Sequence, residues 1–168
     1  VLDGTYVTQL RTGAASGAAF DVFANAAAKK GALIGTGGQA ATQLEAMLAV
    51  RDLEEVKVYD INQQRTEEFV ARMNEELSSY GTKIVAAASS DEAIEDADMI
   101  VTVTPSSKPV FDGNKVKAGA TVSCVGSYQP HMQEMDSAIL QRAGKIYFDS
   151  EEAVLSEAGD ILIPLADG

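Results

Sequence analysis

Gly35-Thr36-Gly37-Gly38-Gln39-Ala40 follows a short apolar run, Ala32-Leu33-Ile34, and opens a helical pattern running from Gln39 to Val50. Strand, glycine turn and helix in that order make G-x-G-x-x-G/A meaningful as a phosphate-binding signature. Gly35 permits the tight turn. Gly37 lets a backbone approach a pyrophosphate with no side chain between them, and the small Ala40 lets the helix pack close to the strand. The helix start then offers unpaired N–H groups and a positive dipole end to an anion. A second apolar run, Val56-Lys57-Val58-Tyr59, ends at Asp60, twenty residues beyond Ala40. A carboxylate there accepts hydrogen bonds from an adenosine ribose and repels a 2′-phosphate, so NAD is expected over NADP. Arg65 lies close enough in sequence to soften that preference. The plain alternative is a tight turn followed by a strand-end Asp that caps the next helix.

Six short apolar runs, at 32–35, 56–60, 84–88, 99–104, 120–126 and 145–149, carry the Val and Ile of buried strands. An alanine-rich stretch, 12–29, predicts a helix ahead of the first. Helical patterns fall between the runs. Phe69, Val70, Met73 and Leu77 define one, with Gly81 as its cap; 91–97 and 132–143 define two more. The expectation is an α/β fold, a doubly wound parallel six-stranded sheet (Rossmann fold) in the order 3-2-1-4-5-6, with a helix preceding strand one. Ligands in such sheets lie at the carboxyl ends of the strands where the order reverses. That sets the glycine turn opposite Thr102–Pro105 and puts the loop from 126 to 134 near the nicotinamide end of a dinucleotide.

The 168 residues suffice for one domain with a full core. A net charge of −12 argues against nucleic acid and anionic membranes as partners. No apolar run is long enough to span a bilayer, and a single cysteine fits a cytoplasmic location. One His, one Cys and scattered acids give no metal-ligand spacing. The chain begins at Val1 and stops after an apolar run, and both ends read as cuts within a longer protein.

Several segments in one order resemble the ornithine cyclodeaminase/mu-crystallin family. They are Leu10-Arg11-Thr12-Gly13-Ala14-Ala15-Ser16, the glycine turn with Gln39-Ala40, Ala97-Asp98-Met99-Ile100-Val101-Thr102, Thr104-Pro105-Ser106, Val125-Gly126-Ser127, Glu134-Met135-Asp136 and Ala158-Gly159-Asp160. The resemblance implies that residues 1–168 are a dinucleotide-binding domain whose substrate and dimerisation domain, built from both chain ends, lies outside them. It implies a homodimer that moves hydride between a nicotinamide ring and the amino or imino carbon of a small amino acid or cyclic imine. Amino-acid dehydrogenation, imine reduction and cyclisation of ornithine to proline are the activities it covers. The alternative it carries is a non-catalytic binding protein of the mu-crystallin kind.

By the same resemblance, Arg11 pairs with the substrate carboxylate, a task suited to its planar fork. Thr12 lies near the pyrophosphate, and Gly35, Gly37, Gly38, Gln39 and Ala40 form the phosphate turn. Asp60 takes the adenosine ribose. Thr104, Pro105, Ser106 and Gly126 flank the nicotinamide ribose. Two positions depart from the pattern: the catalytic Asp of the cyclodeaminases and some alanine-oxidising relatives is Tyr128 here, and the Gly-Lys after the family's proline is His131-Met132. A phenol donates a hydrogen bond at neutral pH, where an Asp accepts a proton. Ornithine cyclisation is thereby disfavoured, and Tyr128 becomes the candidate proton donor. His131 reads as a solvated loop histidine, and Cys124 as a buried small hydrophobe. Glu134 and Asp136 read as acids serving a helix dipole. Asp149 and Asp160 are minor candidates for the carboxyl edge of the site.

Overall fold

The computed structural model describes residues 3–167. Five parallel strands, β1 (Lys30–Ile34), β2 (Glu55–Tyr59), β3 (Lys83–Ala86), β4 (Met99–Thr102) and β5 (Thr121–Cys124), lie in the order β3-β2-β1-β4-β5. All four pairings are parallel, so every link between neighbours crosses over a face of the sheet. Alternation along β1 divides the core. Leu33 joins the cluster of Phe20, Leu44, Met47, Phe69 and Met73 on one face, while Ala32 and Ile34 join Ile94, Ile100, Phe111 and Val116 on the other.

Helix α1 (Gly4–Phe23) starts earlier than the alanine-rich stretch predicts. Asp3 caps it, accepting from the Thr5 and Tyr6 N–H groups at 2.8 and 3.0 Å, which satisfies two donors that a helix start leaves unpaired. It also ends earlier. Arg51 collects the carbonyls of Phe20, Asp21 and Ala24 at 3.1, 3.0 and 2.9 Å, and Asn25 turns the chain through a bond from the Ala27 N–H. The helix lies on α2 (Ala40–Val50), Gly13 against Thr42 and Gly17 against Ala46. Helix α3 (Gln63–Glu76) buries Phe69 and Met73 as its spacing predicts; a 3-10 turn, Ser78–Tyr80, follows, and Gly81 ends it in the left-handed region at φ 71. Helix α4 (Ser90–Ile94) is shorter than expected, with Asp96 at φ 59 just beyond it.

The expected sixth strand is not in the sheet. Residues 145–149 make no β pairing, and β5 is the edge. Ile146, Tyr147 and Phe148 are consecutive apolar residues, each at least 40% exposed, without the alternation that a one-sided edge strand uses. The segment holds on through a ring instead: Tyr147 stacks on Phe23 with centroids 3.8 Å apart. The predicted helix over 132–143 shrinks to α5 (Ser137–Arg142), capped by Asp136. Two further helices, α6 (Glu151–Glu157) and α7 (Gly159–Asp167), follow. No helix among the described residues is long and apolar enough to cross a membrane.

Candidate functional site

The strand order reverses between β1 and β4, and the glycine turn rises from the end of β1 into that crevice. Gly35 has φ 104, and a Cβ there would sit 2.8 Å from the Val103 carbonyl oxygen, so the turn needs glycine on both counts. Its N–H continues the sheet ladder to the Tyr59 carbonyl at 2.8 Å. Asp60, beside it at the end of β2, accepts from the Thr36 N–H at 3.0 Å and the Thr36 hydroxyl at 2.9 Å through one oxygen, and from the Asn62 N–H through the other. Partial burial opposes ionisation of Asp60, but the Asn62 and Thr36 donors outweigh it and hold its carboxyl below the usual value. The acid thus fixes the turn, and lone pairs remain for a further donor.

Beyond the turn, α2 begins without a cap. Gln39 makes no side-chain bond to the helix start, and the first turn carries no acid. By contrast α1, α3, α4, α5 and α6 are each capped by a side chain, from Asp3, Asn62, Ser89, Asp136 and Ser150. The positive end of α2 is left without a side-chain partner. Gly37 and Gly38 are exposed, a Cβ on Gly37 would meet nothing, and Ala40 is fully buried. The first turns of α1 overhang this point, so that Thr5, Thr8 and Gln9 line a groove with Gly38 and Gln39. The buried Gln39 Oε1 has no partner. A pyrophosphate fits this cradle by chemistry and by space.

The other half of the crevice is built around a residue whose sequence reading was different. Glu134 is fully buried, not a helix-start acid, and it precedes α5 altogether. One of its oxygens accepts from the Thr104 N–H at 2.5 Å and hydroxyl at 2.8 Å. The other accepts from the Thr102 hydroxyl at 2.9 Å and the Gly126 N–H at 2.6 Å. Asp160, at the start of α7, accepts from the Glu134 and Met135 N–H groups at 2.6 and 3.0 Å. Its second oxygen is buried without a partner. Burial pushes both carboxyls above their usual values, against the pull of these donors. The signals in the sequence were faint: an acid between two methionines, Met132 and Met135, both of which prove buried, and an acid directly after Gly159.

A carboxyl whose folded pKa is raised binds more protons folded than unfolded between the two values, so its contribution to stability falls as pH rises through that window. Asp60 and Asp98 are shifted the opposite way, and their contribution is lost as pH falls through their depressed values. Urea unfolding is therefore expected to show stability falling as pH rises above the ordinary carboxyl range, where Glu134 and Asp160 ionise, and falling again in strong acid, where Asp60 and Asp98 protonate. Stability that rises steadily on leaving the carboxyl range toward higher pH would contradict the raised ionisation of Glu134 and Asp160.

The remaining sequence candidates are placed as follows. Thr104 faces Glu134, and Ser106 bonds its hydroxyl to the Lys108 carbonyl at 2.6 Å, with Pro105 exposed between them. Gly126 is buried with its N–H committed to Glu134. Tyr128 is 58% exposed in the loop after β5. Arg11 is exposed on α1 with no ion pair among the described residues, and Thr12 bonds to the Thr8 carbonyl within that helix. The structure brings the glycine turn and Asp60 together, and Thr104 together with Gly126. Arg11 shares no bond or ion pair with either group. His131 is exposed. Cys124 is part-buried, and burial, with the charges of Asp160 and Glu134, pushes its thiol well up. Asp149 is exposed and accepts from the N–H of its neighbour Ser150. Among the described residues, no group of three His, Cys, Asp or Glu is placed to hold a metal ion.

Comparison with known proteins accords with this geometry. The model of the ornithine cyclodeaminase/mu-crystallin family matches residues 1–167. A Delta(1)-pyrroline-2-carboxylate reductase of Bacillus cereus is 40% identical over 168 residues, all of this chain and 50% of that protein. The Thermococcus litoralis Delta(1)-pyrroline-2-carboxylate reductase, solved in complex with NADH and L-proline, superposes with a TM-score of 0.93 at 38% identity, covering 98% of this chain and 50% of that one. An archaeal alanine dehydrogenase dimer with bound NAD superposes with a TM-score of 0.88 at 35% identity, covering 97% and 48%. The chain spans about half the length of the relatives it matches.

Proposed function

The chain belongs to the ornithine cyclodeaminase/mu-crystallin family, and from that premise we propose that it is the NAD-binding domain of an enzyme that reduces a small cyclic imine carboxylate or oxidises the matching amino acid. The observation that carries this reading is the uncapped start of α2, with open space at Gly37 and a carboxylate, Asp60, at the neighbouring strand end. The exposed N–H groups of the turn bind the phosphates, and Asp60 takes the adenosine ribose. Thr104, Pro105 and Ser106 flank the nicotinamide side. A bound nicotinamide supplies or accepts the hydride. Arg11 orients the substrate through its carboxylate, and Tyr128 donates a proton to the substrate nitrogen. Similarity to proteins named as pyrroline-2-carboxylate reductases supports an imine substrate, as does Tyr128 in place of an acid. In the complete protein a second domain closes the substrate pocket. Two copies pair, as in the archaeal alanine dehydrogenase, and the enzyme works in the cytoplasm.

The complete protein is expected to consume pyrroline-2-carboxylate with NADH. Conversion of ornithine to proline, without reduction of the imine, would replace this reading by cyclodeamination. Asp60→Ala is expected to weaken NAD⁺ binding about 10- to 100-fold in calorimetry and to erase a preference over NADP⁺, because hydrogen bonds to a charged acceptor are lost. Unchanged binding would remove Asp60 from the site. Tyr128→Phe is expected to lower kcat by about 100-fold with little change in KM; undiminished turnover would end its role as proton donor.

A further inference from the structure

The Glu134 carboxylate bonds to both loops on the nicotinamide side of the crevice. Each oxygen takes two donors. Thr104, after β4, fills one; Gly126, after β5, and Thr102, inside β4, fill the other. The two loops also touch directly, since a Cβ on Gly126 would run into the Thr104 backbone and the Glu134 carboxyl carbon. Glu134 is held in turn: its own N–H is fixed by Asp160, whose N–H donates to the Ser127 hydroxyl at 3.1 Å. Its carboxylate bonds to nothing on the adenine side, where the glycine turn is fixed by Asp60.

We propose that Glu134, seated by Asp160, is a positioning residue that locks the loops after β4 and β5 into one rigid platform for the nicotinamide half of the cofactor, leaving the adenine half to α2 and Asp60. This rests on the cofactor reading above. Two N–H groups from separate loops cannot converge on one carboxyl oxygen pair unless the loops keep their spacing. The outward side of the same loops, Pro105 and Tyr128, is exposed. A glutamine at 134 keeps one acceptor and turns a donor toward the other pair, so the side-chain bonds to one loop are lost while the side chain's volume stays.

The test is Glu134→Gln in the complete protein, with NADH and ADP as separate probes by calorimetry, and with NADH fluorescence. ADP carries the adenosine and both phosphates but no nicotinamide. The variant is expected to bind NADH about tenfold more weakly, to lose the emission change of bound NADH, and to bind ADP as the parent does. Equal weakening of both probes, or no change in either, would overturn the positioning role. If Glu134→Gln does not fold, Thr102→Val takes its place. It removes one hydroxyl donor to the same carboxylate inside β4, and the same selective loss is expected, about threefold; its absence is equally decisive. A parent protein that binds neither NADH nor ADP would instead defeat the cofactor reading itself.

Discussion

Glu134→Ala is expected to lower the free energy of unfolding by about 3–5 kcal/mol, because it strips four donors of their acceptor in a fully buried place. The Thr102 and Thr104 hydroxyls and the Thr104 and Gly126 N–H groups all point at this one carboxylate. The hydroxyls can rotate to new partners, but the two N–H groups are fixed by the backbone and have nowhere to turn. Water entering the vacated space would recover part of the loss. The measurement is urea unfolding of parent and variant at one pH, where the midpoint falls sharply with the slope retained. A loss below about 1 kcal/mol would mean that the loops find other acceptors, and that Glu134 is not what holds them.

Gly126→Ala is expected to cost about 3 kcal/mol through overpacking, and to do so at a position with no unusual backbone angle. The added methyl would collide with the Thr104 carbonyl oxygen and lie 2.6 Å from the Thr104 nitrogen and 2.7 Å from the Glu134 carboxyl carbon. Neither neighbour can yield cheaply. The Thr104 backbone continues from β4, and Glu134 is held by four bonds. The chain must move at the loop, which pulls the Gly126 N–H off Glu134. Calorimetric melting shows this as a lowered Tm, and cofactor binding falls with it. A variant as stable as the parent would mean that the approach of the two loops is looser than the structure shows. Because Gly126 and Glu134 touch, the losses from Gly126→Ala and Glu134→Ala are not expected to add.

The glycine turn and the acid beside it were legible in the sequence because their parts are local. The turn needs glycine at 35 and open backbone at 37; the acid must end the next strand, and the spacing between them is set by one helix. Each requirement falls within thirty residues of chain. The strand order through β5 followed from the same alternation of apolar runs and helices. The sixth strand did not, because an apolar run says only that a segment seeks burial; Tyr147 meets that need with a ring stack on Phe23.

Glu134 was misread for a related reason. In sequence it stands two residues before Asp136, and both acids fall at the start of the helical pattern over 132–143; only Asp136 caps the helix. The partners of Glu134 come from 8 to 32 residues away along the chain, and no local pattern records that distance. Asp160, reached from a helix with no signature of its own, completes the arrangement. By itself the sequence determined the parallel wound sheet, the glycine turn and the acid that ends the second strand, since short-range sterics and hydrogen bonding dictate them. Only the tertiary structure decided which carboxylate joins the loops after β4 and β5. That depends on burial and on donors converging from separate strands, which exist only once the sheet has formed.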